Sequence, residues 1–430
     1  MLAQIKNFNG LATNSDKKNA LLILEKGLAT ATPDVALQKI IKKNKLVLNS
    51  DIIFLSKYKR IFVIGLGKAA DLMAQSISSK INVNGGIIVI PQNTNSMFKN
   101  KNFEILHAGH PLPNMQSLYA AKKIIKLLRQ RKKTDFVMFL ISGGSSSLVA
   151  LPDGISLYEK KLVTNLLLKA GADIHEINCV RKHLSKIKGG QITKNLFCDA
   201  VALVMSDVVG NDLSSIASGL TYYDKTTFRD AKNILKKYKI QKIVPRRVLK
   251  RIKFGVSGKM PETPKRAKIK NYIVAENKDC LYAMAKKAKN LGLKTKVIYP
   301  ITGDVKQAAK KLVRSMPKKP NSCIIFGGET TVKVLGKGKG GRNQELVLHA
   351  LQEIHKTNEN LTIASIGTDG KDGNTDAAGA IASNAEFIPK KIQNFLQNND
   401  SYNFFKKYGG LIFTGPTHTN LMDIGIILRR

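Results

Sequence analysis

The segment Phe136-Val-Met-Phe-Leu-Ile-Ser-Gly-Gly-Ser-Ser-Ser-Leu148 runs from an apolar stretch straight into a turn of serine and glycine, after which apolar sequence resumes. A short apolar run bounded by turn residues fits a strand covered on both faces. Small hydroxyl and glycine residues at the carboxyl end of such a strand form a backbone nest for an anion. Runs of the same character occur at Ile61–Ile64, Gly86–Ile90, Glu104–His107 and Ala200–Met205, separated by helical patterns such as Met115–Arg131 and Leu157–Ala170. This alternation predicts an α/β fold built on a doubly wound, Rossmann-like parallel sheet.

A second alternating series follows at Tyr272–Ala275, Thr295–Tyr299, Cys323–Phe326, Ile363–Ile366, Leu411–Phe413 and Ile424–Leu428. Between the two series, Lys236–Lys270 is basic and contains Pro245, Pro261 and Pro264, which reads as a boundary. The expectation is therefore an N-terminal α/β domain over residues 1–240, a basic linker over 241–270, and a second α/β domain over 271–430. A chain of 430 residues exceeds the size at which one core usually divides. A cleft between two domains is the default place for a ligand.

Composition narrows the function. The start of the chain lacks a basic segment followed by an apolar core, and the longest uncharged window, Phe136–Pro152, is interrupted by its serines and glycines, so a cytoplasmic protein with no membrane partner is expected. Cys179, Cys198, Cys280 and Cys323 are far apart and lack Cys-x-x-Cys spacing, which argues against zinc or a disulfide framework. The net charge of +41 attracts anions in general. Without Trp, and with 6% aromatics and no recognisable module, it does not point to specific nucleic-acid binding. A homodimer is left open.

Six polar segments carry the chemistry. Gly65-Leu-Gly-Lys-Ala-Ala70 fits a permissive dinucleotide pattern, yet the next strand ends in Ile90-Pro91-Gln92 with no carboxylate for a ribose hydroxyl. Lys68 there suits a phosphoryl oxygen or a substrate carboxylate better. Ser142, Gly143, Gly144 and Ser145 form the expected nest, without the Gly-Lys-Ser/Thr of a P-loop. Within Glu176–Gly190, Arg181, Ser185 and Lys188 fall on one helical face and can clamp an acid. Ser206–Asp212 and Gly367–Asp376 place Asp207, Asp212 and Asp369 on strand-end loops, where hard oxygen ligands suit Mg2+ and one carboxylate near a hydroxyl can serve as base. The glycine-rich stretch Gly327–Glu345 holds Glu329, Gly341 and, at the start of a helix pattern, Arg342. It reads as an anion site, because glycines let backbone N–H groups approach a ligand and Arg342 adds a permanent planar charge.

Taken in order, Gly65–Ala70, His110–Asn114, Ser142–Leu148, Val180–Gly190, Ser206–Thr221, Gly327–Glu345, Gly367–Asp376 and Thr414–Asn420 resemble the signature segments of the glycerate 2-kinase family over nearly the whole chain. The resemblance implies a C-terminal domain of the MOFRL type, placed at residues 320–428, and ATP-dependent phosphorylation of D-glycerate to 2-phosphoglycerate with Mg2+, a step of central carbon metabolism. Some members carry the label hydroxypyruvate reductase, so an NAD(P)-dependent redox reaction is the alternative. By motif, the active-site lysine falls on Lys68 and the arginine on Arg342. Gly67, Ser142, Gly143, Gly144, Ser145, Arg181, Lys188, Glu329 and Gly341 are then expected around substrate and phosphate, and Asp207, Asp212 and Asp369 around the metal. Lys68 and Arg342 would neutralise the transferring phosphoryl group, Asp207 or Asp369 would orient or deprotonate the C2 hydroxyl, and Arg181 or Lys188 would hold the carboxylate. The departures from the family pattern are Ser145 and Ser146 in the serine loop, Asn211 in place of an acid, Leu220 in place of proline, and His418 in place of glycine.

Overall fold

In the computed structural model, which describes residues 4–357, 359–384 and 389–430, the apolar run singled out above is a strand buried along its full length. The strands in chain order are β1 (Ile41–Lys42), β2 (Lys45–Leu48), β3 (Asp51–Phe54), β4 (Arg60–Leu66), β5 (Gly85–Pro91), β6 (Phe103–Ala108), β7 (Asp135–Ile141), β8 (Asp199–Met205), β9 (Lys270–Ala275), β10 (Lys294–Asp304), β11 (Ser322–Thr331), β12 (Thr362–Gly367), β13 (Gly379–Ser383), β14 (Leu411–Ile412) and β15 (Asp423–Arg429). The chain divides into two units, Leu37–Val274 and a discontinuous one made of the chain up to Ala36 with Ala275–Arg430.

The continuous unit is built on the sheet β6-β5-β4-β7-β8-β9. β4 through β8 run parallel. Numbered within the sheet this is the order 3-2-1-4-5-6 of a doubly wound dinucleotide-type fold, and the order reverses between β4 and β7. Two apolar clusters hold the unit together. One surrounds the sheet, with Ile64, Val89, Phe139, Ile141 and Val204 buried among helix residues such as Ile124 and Leu128. The other is all helical and includes Val163, Leu167, Ile177, Val180, Leu235, Val248 and Ile252. A small antiparallel sheet, β1-β2-β3, belongs to the same unit.

The discontinuous unit holds the sheet β10-β11-β15-β12-β13-β14. β10 and β11 are parallel, whereas β15, the last strand of the chain, lies antiparallel between β11 and β12. The remaining pairs are antiparallel as well. The unit is α/β, as expected, and its sheet is mixed.

Two expectations about domain limits are corrected. Residues 241–270 are not a linker: helix Arg246–Val256 buries Val248 and Ile252 in the helical cluster of the continuous unit. Apart from the buried Arg251, its basic residues Arg246, Arg247, Lys250 and Lys253 occupy the outer face, which is why the segment looks like a solvated connection when read linearly. β9, assigned to the second domain from sequence, is the edge strand beside β8. The N-terminal helix Ser15–Thr30 belongs with the C-terminal part, packing on helix Asn277–Asn290 and on β15 through a face that includes Leu21, Leu24 and Leu28. Among the described residues no helix is long and apolar enough to cross a membrane.

Candidate active site

In the continuous unit the site residues gather where the strand order reverses, the place at which ligands bind in such sheets. β4 ends in Leu66, and Gly67 follows at φ +120°, so close to the β7 loop that a Cβ there would lie 2.2 Å from Ser142 Oγ. Only glycine fits. The two loops are knitted together: Ser142 N–H donates to Leu66 O at 2.9 Å, Lys68 N–H to Gly143 O at 2.9 Å, and Ala69 N–H to Ser142 Oγ at 3.0 Å. Ser145 Oγ donates to Leu66 O at 2.7 Å. The side chain of Lys68 is half-buried, and a Cβ at Gly144 would lie 2.8 Å from His110 Cδ2 and 3.8 Å from Lys68 Cγ. Lys68, His110 and the serine loop thus share one spot.

These bonds bear on the redox alternative. A dinucleotide needs N–H groups at the first helix N-terminus for its pyrophosphate. Here those of Gly67, Lys68, Ala69 and Ala70 already donate to Val89 O, Gly143 O, Ser142 Oγ and Gly67 O. Gln92, where a ribose-binding acid is wanted, accepts instead from Asn114 Nδ2 at 2.9 Å.

On its other side the short helix Ser145–Leu148 meets a group of cations. Ser146 Oγ accepts from Arg181 Nη2 at 2.6 Å, lies 2.7 Å from Ser218 Oγ and is 3.3 Å from Lys188 Nζ. Lys188 Nζ also donates to Ser146 O at 2.9 Å and Ala217 O at 3.4 Å, and Ser218 Oγ donates to Asn178 Oδ1 at 2.9 Å. Ala217, Ser218 and Gly219 all sit at positive φ, a costly backbone run of the kind held in place at functional sites. Lys160, on helix Leu157–Lys169, completes the group: it is 4% exposed and its Nζ has no hydrogen-bond partner. Among the described residues no carboxylate acts on these cations. Burial lowers Arg181 to about 10 and, with Arg181 nearby, lowers Lys160 to about 7. Burial, then Arg181 and Lys160, hold Lys188 well below the usual lysine range. The adjacent Lys182 shows the contrast, since its ammonium lies 3.3 Å from Asp224.

The acids of this unit are placed differently from expectation. Asp212 accepts from Ser214 N–H at 2.9 Å, Ser214 Oγ at 2.8 Å and Ser215 Oγ at 2.6 Å, so its oxygens brace their own loop. Asp207 follows the end of β8 and is half-buried. Ser185 turns to backbone, accepting from Ile187 and Lys188 N–H, rather than joining Arg181 and Lys188.

In the discontinuous unit three signature segments meet at one end of the sheet. Asp423, at the start of β15, is in register with Gly328 of β11 and Gly367 of β12. Arg342 grips it in bidentate fashion, Nε to Oδ2 at 2.6 Å and Nη2 to Oδ1 at 3.0 Å, while Nη1 lies 2.7 Å from Glu329 Oε1. Burial opposes the charge of Arg342, but Asp423 and Glu329 outweigh it and the guanidinium stays firmly protonated. Asp369 N-terminates the adjacent turn, its Oδ1 accepting from Lys371 N–H at 3.1 Å.

The glycine-rich loop does not present its backbone to a ligand as expected. Leu335 and Gly336 N–H donate to Asn399 Oδ1, Lys337 N–H to Asn398 Oδ1, Gly338 N–H to Asn398 O, and Lys339 N–H to Asp400 Oδ1. The loop is a clamp onto residues 398–400. Gly341 is required for a different reason: a Cβ there would lie 2.3 Å from Asp372 Cγ. Asp372 caps helix Arg342–Thr357 from outside, its carboxylate accepting from Asn343 N–H at 3.0 Å, Gln344 N–H at 2.9 Å and both side-chain amides. The clamp is anchored on Glu345, which accepts from Asn399 Nδ2 at 3.1 Å and which burial pushes up to about 7. A carboxyl raised from its unfolded value of 4.5 adds stability that is complete below pH 4.5 and lost as pH rises to 7. Glu345→Gln should flatten that slope, and denaturant unfolding at pH 8 should find the variant more stable than wild type by roughly 1–3 kcal/mol.

Sequence reasoning gave no role to Ser146, Lys160, Asn178 and Ser218 in the continuous unit, or to Asp372 and Asp423 in the discontinuous one. Asp372 sits inside a quoted motif and Ser146 inside another, so both were within reach. Lys160 and Asp423 lie in ordinary helix and strand patterns and carry no local signal.

The family described as a domain of unknown function, DUF4147, matches residues 19–253, and the MOFRL family matches residues 322–423. A glycerate 2-kinase of Pyrococcus horikoshii is 41% identical, the match covering 86% of this chain and 87% of that one. A D-glycerate 2-kinase of Thermotoga maritima is 37% identical over 96% of this chain and 98% of its own. The chain belongs to the glycerate 2-kinase family. Family members are phosphotransferases with an alcohol group as acceptor, and this chain is one of them. The crystal structure of a glycerate kinase from Thermotoga maritima superposes with a TM-score of 0.83 at 34% identity, covering 95% of this chain and 98% of that one. A further relative of the family, from Agrobacterium vitis and 36% identical over 86% of this chain and 87% of its own, is named a putative hydroxypyruvate reductase.

Proposed function

We propose that the protein transfers the γ-phosphoryl group of ATP, taken up as its Mg2+ complex, to the 2-hydroxyl of D-glycerate, giving 2-phospho-D-glycerate. The observation that carries this reading is the pair of half-buried Arg181 and buried Lys188, with no carboxylate acting on either among the described residues, beside the loop that holds Lys68. Buried cations without an acid partner are costly unless an anionic ligand completes them. A hydroxy acid supplies such an anion and carries the hydroxyl to be phosphorylated. Consumed N–H groups at the β4 turn and the engaged Gln92 disfavour the NAD(P)-linked alternative.

Phosphoryl transfer demands positioning and charge stabilisation more than covalent chemistry. In this reading Lys68 and Arg342 stabilise developing negative charge, Arg181 and Lys188 hold the carboxylate, and Asp207 or Asp369 orients the hydroxyl or accepts its proton. Among the described residues no three His, Cys, Asp or Glu side chains are grouped to hold a metal ion. Mg2+ therefore belongs with the nucleotide phosphates, to which Asp207, Asp212 or Asp369 would add at most a ligand or two, as is usual for Mg2+ with phosphate substrates.

Incubation with ATP, Mg2+ and D-glycerate, followed by phosphorus NMR, tests the reaction. 2-Phosphoglycerate is the expected product; 3-phosphoglycerate overturns the regiochemistry, and the absence of any phosphorylated product overturns the kinase. Arg181→Ala should raise KM for glycerate about 10-fold to 100-fold, the weight of a lost charged hydrogen bond, with KM for ATP unchanged. An unchanged KM for glycerate removes Arg181 from the substrate.

A further inference from the structure

Lys160 is the one member of the cation group whose charge nothing explains. It lies on helix Leu157–Lys169, and its neighbour in the group is Arg181 on helix Ile174–His183, a helix that packs against its own. The remaining elements are the segment carrying Lys188, the short helix Ser145–Leu148 and the turn at 216–219. Apart from Lys188 they contribute only neutral groups, Ser146, Ala217 and Ser218. Among the described residues no carboxylate acts on Lys160, and its Nζ has no hydrogen-bond partner. A lysine used only for packing would extend its ammonium to water or to an acid. This one is held 4% exposed among like charges.

We propose that Lys160, Arg181 and Lys188 form a preassembled pocket for the carboxylate of the acceptor acid, and that the carboxylate brings a proton in with it. The proposal rests on the reading of the chain as a kinase of a hydroxy acid. In the free protein, like charge and burial favour the neutral amine of Lys160, which burial and Arg181 lower to about 7. A carboxylate arriving beside Lys160, Arg181 and Lys188 offsets one added positive charge, so Lys160 takes one proton from solvent and the net charge of the pocket is the same with and without the ligand. The planar fork of Arg181 fits two carboxylate oxygens, and the two lysines hold it as point charges. Selectivity follows: 2-hydroxy acids enter, and polyols of the same size that lack a carboxylate do not.

Titration calorimetry of the full chain with D-glycerate at pH 8, in buffers of different ionisation heat, counts protons directly. Wild type should take up about one proton per glycerate bound, D-lactate should behave alike, and glycerol should not bind. Lys160→Met should lose the uptake and raise KM for glycerate by roughly 10-fold or more, with KM for ATP within about twofold of wild type. An unchanged KM for glycerate, a rise confined to ATP, or no proton uptake by wild type each overturns the pocket; should Lys160→Met fail to fold, the wild-type proton count decides alone. Glycerate bound with Lys160-dependent uptake but never phosphorylated would keep the pocket and reject the kinase. Normal phosphorylation by Lys160→Met with an unaltered KM would do the reverse.

Discussion

Arg342→Ala lowers kcat by about 10³-fold or more, the loss expected when a charge-stabilising group is removed from phosphoryl transfer. The structure adds a second effect that must be separated from the first. Asp423 is 7% exposed and depends on Arg342 for two hydrogen bonds, so removing the guanidinium strands a buried carboxylate, at a cost of about 3–5 kcal/mol. Arg342 has five N–H donors. Three are engaged by Asp423 and Glu329, which leaves part of the fork for a substrate anion. The double variant Arg342→Ala/Asp423→Asn should recover most of the stability, measured by denaturant unfolding, while kcat stays at the level of the single variant. Recovery of kcat along with stability would make Arg342 a structural residue and remove it from the chemistry.

Asp372→Ala should produce the largest stability loss of any single carboxylate change. The carboxylate is 1% exposed and satisfies two backbone N–H groups at the start of helix Arg342–Thr357 together with the side-chain amides of Asn343 and Gln344. Removing it leaves the two buried backbone N–H groups without an acceptor and takes one partner from each amide, Gln344 keeping Thr375. The expected cost is roughly 3–5 kcal/mol, above that of an ordinary helix cap because the donors have no access to water. Arg342 is the first residue of that helix, so kcat should fall as well. Asp372→Asn keeps one acceptor oxygen and should lose less on both counts. A variant Asp372→Ala with wild-type melting behaviour would mean that the cap carries no weight.

The apolar runs of β4, β5, β7 and β8 were legible because strands buried on both faces must be apolar throughout, and the loops at their ends stood out as the polar interruptions. Lys68 and the serine loop were singled out for the same reason, Arg181 and Lys188 for their helical spacing, and the structure places the serine loop against Lys68 on one side and against Arg181 and Lys188 on the other. The glycine-rich loop misled. Its composition speaks to backbone freedom, but whether freed N–H groups face a ligand or Asn398 and Asn399 depends on a segment some sixty residues away. Lys160 was illegible because a lysine in an amphipathic helix is normally solvated, and only the packing of helix Ile174–His183 reveals that it is buried. β13, Gly379-Ala-Ile-Ala-Ser383, lacks the β-branched density that marks the other strands, and the three short strands before Arg60 were missed for their brevity. The N-terminal helix was assigned to the wrong half because its partner strand is the last in the chain.

That last pairing has a consequence for how the protein comes into being on the ribosome. Leu37–Val274 is one uninterrupted stretch and is able to fold as soon as it has emerged. Helix Ser15–Thr30 emerges earlier still, with Leu21, Leu24 and Leu28 facing outward, and the partners it packs on, helix Asn277–Asn290 and β15, are made only after that whole stretch. Until those partners emerge the nascent chain carries a greasy helix with its packing face uncovered, an aggregation hazard of translation that the finished enzyme no longer has.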